Sequence, residues 1–353
     1  MKKVFSIIFC VLFFGICCVF SLGMIIPGAS NIKESSDEFP KLFSKEGINH
    51  SFGDDLESWF SEAFAFRSEL VNTYADMKVS ALQEGNSQVI IGKDDFLFFT
   101  ETLDSYTGIS NLSDDDITKA CETLLSVQNA AEASGAKFLF VCAPNKNTVY
   151  SDMMPDRYVK ADSDSTEMQR LFDKLTEMNV SYIDLRYPLI EGAENELIYH
   201  KKDSHWNGLG AEIAFHEIAG KLGFAPVSLE GNSTVLDEKF EGDLDALLYT
   251  DEVHYDKNVT YDFEGLYVYT CAYSTPMDIT ITTRGGGQGK LLMYRDSFAN
   301  ALIPYAASSF SEVRFERAVP YNTKLIDSFD ADCVIVEIAE RNIKDLIDYY
   351  PVG

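Results

Sequence analysis

The polarity of the chain changes in steps. An almost unbroken apolar run over residues 4–26 follows Met1-Lys2-Lys3, and about twenty such residues cross a bilayer as a helix. Residues 27–53 are mixed polar and contain Pro27, Pro40 and Gly47, the composition of a linker. Over residues 54–82 apolar side chains return at helical spacing (Leu56, Trp59, Phe60, Phe64, Leu70, Tyr74, Met77), which predicts a helix broken near Phe66-Arg67. Residues 89–98 hold two short apolar runs about Gly92-Lys93-Asp94-Asp95, a tight hairpin.

From Ser113 onward helices and strands alternate. Ser113, followed by three aspartates, caps a helix that Gly135 ends, and residues 138–144 form a continuous apolar strand. The scheme repeats: helix 166–178, strand 180–185 and helix 207–222. Near the end come strand 290–294, helix 297–307, strand 312–315, a short helix around Leu325 and strand 333–338. Strands that are apolar throughout are buried on both faces, so the pattern predicts an α/β fold with a mostly parallel sheet flanked by helices. Residues 266–270 and 279–282 mark a β-rich insertion at about 228–287. The expected organisation is an anchor or signal at 1–26, a linker at 27–53 and one catalytic domain at 54–353.

Composition sharpens this. The chain has 353 residues, 46% of them hydrophobic, enough for the core of one large domain. The lysines before the apolar run favour a cytoplasmic N-terminus. The run is long for a signal peptide, and residues 21–27 lack a small-x-small cleavage site. An uncleaved, single-pass membrane anchor with the remainder outside the cytoplasm is therefore expected; a cleaved leader would give a secreted protein. Asp and Glu number 56 against 29 Lys and Arg, a net charge of −27, which excludes a nucleic-acid partner. Such acidity also keeps an exported domain in solution. Cys121, Cys142, Cys271 and Cys333, outside the apolar run, match no zinc spacing, and Cys142 and Cys333 sit in strand-like runs as small core residues.

Two segments carry candidate chemistry. Residues 199–207 (Tyr-His-Lys-Lys-Asp-Ser-His-Trp-Asn) supply a carboxylate and an imidazole two positions apart, and residues 294–298 (Tyr-Arg-Asp-Ser-Phe) place a serine where a strand turns into a helix. A serine hydroxyl becomes nucleophilic when an imidazole takes its proton, and the imidazole needs a carboxylate to fix its tautomer. Ser297 is the expected nucleophile, with its own N–H as an oxyanion donor at a helix start. His205 is the base and Asp203 its orienter. On an extended strand i and i+2 share a face, so these two side chains would point at one site while Ser204 and Trp206 face elsewhere. Asp296 would cap the helix. His200, Asp203 and His205 also form a familiar metal-ligand set, but no His-x-x-x-His spacing supports it and Ser297 would be left unexplained. No metal and no cofactor is expected. Residues 284–290, though glycine-rich, precede a strand instead of following one and read as a turn, not a phosphate loop.

In this order the segments resemble the alginate O-acetyltransferase-type branch of the SGNH hydrolase superfamily, including the group named for a DHHW motif. The resemblance rests on Asp203-Ser204-His205-Trp206, Arg295-Asp296-Ser297-Phe298, residues 336–341 (Val-Glu-Ile-Ala-Glu-Arg), residues 144–150 (Pro-Asn-Lys-Asn-Thr-Val-Tyr), residues 66–70 and the 89–98 hairpin. Ser204 replaces the first histidine of the motif, and Arg295 stands where glycine or an apolar residue is usual. The resemblance implies an SGNH-like fold and transfer of acetyl through Ser297 to hydroxyls of an exopolysaccharide or cell-wall glycan. Because an extracytoplasmic domain cannot reach cytoplasmic acyl-CoA, it also implies a membrane-bound O-acyltransferase as acyl supplier. Asn145, Lys146, Tyr150 and Arg295 are candidate substrate-binding residues; Asn145 and Lys146 would otherwise terminate their strand and cap a turn. An acetyl esterase with the same triad and a non-catalytic glycan-binding scaffold remain alternatives.

Overall fold

The alternation that begins at residue 113 folds into a seven-stranded mixed sheet. Its strands are β1 (Lys137–Ala143), β2 (Tyr182–Asp184), β3 (Tyr267–Tyr269), β4 (Thr280–Gly285), β5 (Lys290–Tyr294), β6 (Glu312–Glu316) and β7 (Cys333–Ala339). The order across the sheet is β2-β1-β7-β5-β6-β4-β3. Pairings from β2 to β6 are parallel, whereas β4 and β3 join antiparallel at one edge. The expected mostly parallel sheet is present, and part of the β-rich insertion extends it; Thr234–Phe240 and Asp256–Tyr261 pair separately as a two-stranded ribbon. This is a computed structural model, and it describes residues 2–23, 39–44, 47–78, 85–109, 112–162, 166–249 and 252–353. Residues 27–38 of the expected linker and 79–82 of the expected helix lie outside these.

The side chains of the parallel strands alternate between two buried layers. Leu139, Val141, Leu291, Met293 and Ile335 pack on one face with Ala211, Phe215 and Ile218 of the helix Gly208–Leu222. Phe138, Phe140, Leu292, Val334 and Val336 pack on the other with Leu124 and Val127 of the helix Asp114–Ala133 and Leu171 and Leu175 of the helix Glu167–Glu177. Burying each such side chain contributes about 1.5–3 kcal/mol, so the interiors of β1, β5 and β7 are apolar and the runs read as nearly continuous, with Glu337 of β7 the buried exception. The helix Asp114–Ala133 starts in a capping box between Ser113 and Asp116, and Gly135 follows its end at φ 81°, where a Cβ would be strained. Thr166 caps the helix Glu167–Glu177 and Asn207 caps Gly208–Leu222. Cys121, Cys142 and Cys333 are buried, as core residues should be.

The described chain divides into two compact units, residues 1–83 with 249–252, and 84–248 with 253–353. In the first, the helix predicted over 54–82 is indeed broken, into Phe52–Ala63 and Arg67–Met77, with Phe66 at φ 59°. That unit also contains the helix Lys2–Gly23, whose apolar side chains such as Phe5, Val11 and Phe14 are exposed. Among the described residues no helix is long and apolar enough to cross a membrane, so the expected transmembrane helix is not seen.

Candidate active site

At the carboxyl end of β5 the chain turns through Arg295, Asp296 and Ser297 into a single 3₁₀ segment, Phe298–Leu302, before the helix Ile303–Ser309. Asp296 builds the turn: one oxygen accepts the Phe298 N–H at 2.8 Å, and the other accepts the Ala339 N–H at 2.6 Å and the Asn342 amide at 2.7 Å. The end of β5 is thereby tied to the end of β7. Beneath the turn the fully buried Glu337 accepts the Asp296 N–H at 3.2 Å. Burial, and then the neighbouring Asp296 charge, push the Glu337 carboxyl well above its usual range. Ser297 makes no side-chain capping bond, which leaves its hydroxyl for other work.

The segment carrying Asp203 and His205 is not the extended strand expected from the i, i+2 spacing. It is a tight loop closed by a bridge between Tyr199 and Trp206, with the His200 N–H donating to the His205 carbonyl at 3.3 Å. The two side chains meet because Asp203 Oδ1 accepts both the backbone N–H of His205 at 2.8 Å and its Nδ1–H at 2.7 Å. Ser204 does not face away either; its Oγ lies 3.3 Å from His205 Nδ1. Lys146 holds the loop from below, its ammonium donating to the carbonyls of His200, Lys201 and Asp203 at 3.0, 2.9 and 2.7 Å. Burial alone would raise the pKa of Asp203, but hydrogen bonds from His205 and from the backbone of Asp243 and His205 outweigh it and hold the carboxyl below its usual range.

Ser297 Oγ and His205 Nε2 are 2.8 Å apart, although 92 residues separate them in the chain. With Nδ1–H donated to Asp203, the Nε2 lone pair is free to accept the serine proton. The Phe298 ring lies 4.7 Å from the imidazole, and Trp206, buried as expected, donates its indole N–H to the Phe298 carbonyl at 2.9 Å. His205 is only 22% exposed and Asp203 8%, so the orienting carboxylate is shielded while the imidazole edge reaches solvent. A hydrogen-bonded Asp–His–Ser chain of this kind, at the carboxyl rim of a parallel sheet, can transfer an acyl group through the serine.

The candidate substrate residues have mostly structural partners. Arg295 is buried and donates to the carbonyls of Pro276, Asp278 and Asp296 and to Asn300 Oδ1 at 2.7–3.2 Å. Tyr150 accepts the Ile198 N–H at 3.0 Å through its hydroxyl. Lys146 is spent on the loop carbonyls. Asn145 differs: it is buried, its backbone N–H donates to Glu340 at 2.9 Å, and neither atom of its side-chain amide has a hydrogen-bond partner. The two-histidine metal set does not form, since His200 stacks on Phe240 with centroids 3.9 Å apart and its Nδ1 lies 3.2 Å from the Lys257 carbonyl. Asp203, His205 and Asp243 do place ligand atoms within 4.8 Å of one another, but Nδ1 of His205 is already bonded to Asp203 Oδ1, and both Asp243 oxygens accept from Ser204. Glu340 and Asp243 escaped the sequence reading. Glu340 accepts from Ser105, Asn145 and Thr148 and joins the ends of β1 and β7; its place in the 336–341 segment was the available signal. Nothing local marks Asp243.

Residues 89–272 match a family model described as "SGNH hydrolase-like domain, acetyltransferase AlgX", a stretch that includes Asp203 and His205 and stops short of Ser297. A probable alginate O-acetylase AlgJ of Pseudomonas syringae pv. tomato is 22% identical over 222 residues, which are 63% of this chain and 54% of that protein. The chain thus spans about half the length of this relative. Among solved structures, a DHHW family protein from Eubacterium siraeum superposes with a TM-score of 0.56 at 18% identity, covering 67% of this chain and 90% of that one. PatB1 of Bacillus cereus does so with a TM-score of 0.56 at 15% identity, covering 75% and 100%. At these identities the superpositions establish the fold.

Proposed function

This chain belongs to the family of the SGNH hydrolase-like domain of the acetyltransferase AlgX, and from that premise we propose that it is an O-acetyltransferase acting on glycan hydroxyls through Ser297. The observation that carries the reading is the hydrogen-bonded series Asp203, His205, Ser297, with contacts of 2.7 and 2.8 Å. In the first half-reaction Ser297 Oγ gives its proton to His205 Nε2 and attacks the carbonyl carbon of a donor acetyl ester. The tetrahedral oxyanion develops near the Ser297 N–H, and its collapse expels the donor alkoxide, which takes the proton back from Nε2–H. Acetyl-serine remains. In the second half-reaction a sugar hydroxyl gives its proton to Nε2 and attacks the acetyl carbonyl, and Ser297 leaves with that proton.

The surroundings of the reaction are part of the same proposal. The apolar N-terminal run anchors the chain in the cell membrane with the catalytic unit on the extracytoplasmic side, and a membrane-bound O-acyltransferase delivers the acyl group. An exopolysaccharide or cell-wall polymer is the acceptor. A relative named as a probable alginate O-acetylase, and a family model described as that of an acetyltransferase domain, support this choice of reaction.

The test is to incubate the protein with an acetyl ester, with and without oligosaccharide, and to follow the acetyl group by mass spectrometry. Acetylated oligosaccharide is expected, and Ser297→Ala should lower its formation by about 10³-fold or more. Release of acetate alone, with oligosaccharide present, would make the protein an esterase. Unchanged glycan acetylation in cells carrying Ser297→Ala would leave it a scaffold.

A further inference from the structure

The imidazole of His205 faces two carboxylates. Asp243, the first residue of the short helix Asp243–Leu248, places Oδ2 3.6 Å from Nδ1, the same ring nitrogen that Asp203 holds. Several bonds fix it there. Oδ2 accepts the Ser204 hydroxyl proton at 2.6 Å, Oδ1 accepts the Ser204 N–H at 2.7 Å, and the N–H of Asp243 donates to Asp203 Oδ2 at 2.9 Å. The N–H groups of Leu244 and Asp245 both donate to the Lys202 carbonyl, at 3.2 and 3.1 Å. Gly242 permits so close an approach: a Cβ there would stand 2.2 Å from the Lys202 carbonyl oxygen.

We propose that Asp243 is a positioning residue of the acyl-transfer site, a second carboxylate that steadies the imidazolium of His205, with Ser204 as the strut that keeps it beside the ring. The inference rests on the acyl-transfer reading above, in which His205 becomes positively charged once in each half-reaction. A full negative charge at 3.6 Å attracts that cation, although the 41% exposure of the Asp243 side chain lets water screen it, so Asp203 remains the stronger partner. The arrangement also accounts for the departure at residue 204. Ser204 is small enough to fit between the ring and Asp243, and its hydroxyl supplies the hydrogen bond that orients the second carboxylate. The charged and titratable groups about the imidazole are Asp203 and Asp243 at Nδ1, Lys146 and His200 behind the loop, Asp296 beside Ser297, and Arg341 against the Phe298 ring. Of the two carboxylates at Nδ1, Asp243 is the one that can be neutralised without breaking the Asp203–His205 bond.

Asp243→Asn keeps the shape and an acceptor for the Ser204 N–H while removing the charge. The acid limb of the pH–rate profile for acetyl-ester turnover is expected to move to lower pH by about half a pH unit or more, because losing an anion destabilises the imidazolium; kcat should fall about threefold or more. NMR of the His205 ring C–H signals should show the same displacement without reference to activity. Ser204→Ala, which keeps the charge and frees the strut, should move both in the same direction by a smaller amount. A ring titration left in place by Asp243→Asn overturns the proposal, whatever happens to kcat, since a purely structural role lowers the rate alone. Should that variant fail to fold by circular dichroism, an unmoved titration in Ser204→Ala overturns it equally. Absence of any acetyl turnover by the wild type would remove the acyl-transfer reading, and the NMR displacement would still decide whether Asp243 acts on the ring.

Discussion

Lys146 is a cation enclosed by carbonyl oxygens, and its energetics set the pH response of the loop it supports. Burial lowers its pKa more than the charges of Asp203, Asp243 and Asp256 raise it, and the balance leaves it at about 7. The folded state therefore disfavours the ammonium relative to the unfolded chain, where lysine titrates near 10.4. Between about pH 7 and 10 the unfolded chain binds the extra proton, so this group makes folding more favourable as pH rises. Lys146→Met should destabilise the protein by about 2–4 kcal/mol, since the carbonyls of residues 200, 201 and 203 lose their donor. The deficit should widen from pH 7.5 to 9.5, as measured by urea unfolding; a deficit that narrows would contradict the depressed pKa. The sequence singled out Lys146 by its place after an apolar strand and offered a pocket or a turn as its use. Its acceptors lie some 55 residues away, and no local pattern records them.

At the scale of elements, the helix Gly208–Leu222 determines where the loop over residues 199–206 ends. Asn207 caps it through bonds to the N–H groups of Leu209 and Gly210, and its amide reaches back to the Leu197 carbonyl. Gly210 lets the first turn press on the bridge that closes the loop, because a Cβ there would lie 2.3 Å from the Ile198 carbonyl oxygen and 2.9 Å from Trp206 Cβ. Gly210→Ala should force the helix start away from Trp206 and carry His205 with it. A loss of about 1–3 kcal/mol in stability and of about 10²-fold in kcat is expected, checked by thermal unfolding and ester turnover. The helix was legible as the segment 207–222 that follows the Asp-x-His element, though not its cap. The loop was not: Asp-x-His suits a strand as well as a bend, and the bridge between Tyr199 and Trp206, which distinguishes them, forms only when the loop closes on itself.

For the whole molecule, sheet order brings the site together. β5 lies between β7 and β6, so the serine that follows it shares a rim with the ends of β7 and β1, to which Glu340 and Asn145 belong. The charge of −27 spreads over a chain whose one strongly apolar end is the run near the N-terminus. Under the proposed anchoring, the full chain should sediment with membranes and be released by detergent and not by 1 M salt, where ionic attachment is screened within about 3 Å. Deleting residues 2–23 should leave the protein in the soluble fraction. Retention of the shortened chain on membranes would reassign the attachment to another surface.

The sequence by itself determined the elements and the two chemical segments. Helix periodicity, caps and apolar strands are properties of neighbouring residues, so the Ser113 cap and the helical segments 166–178 and 207–222 were legible, and Asp203, His205 and Ser297 announced a base and a nucleophile. Tertiary structure alone decided that these three side chains meet at 2.7 and 2.8 Å, that Ser204 points at the ring, and that Asp243 joins them. The reason is physical: hydrogen bonds between residues 40 or 92 positions apart depend on strand order and loop closure, which packing of the whole core selects and no short stretch of chain encodes.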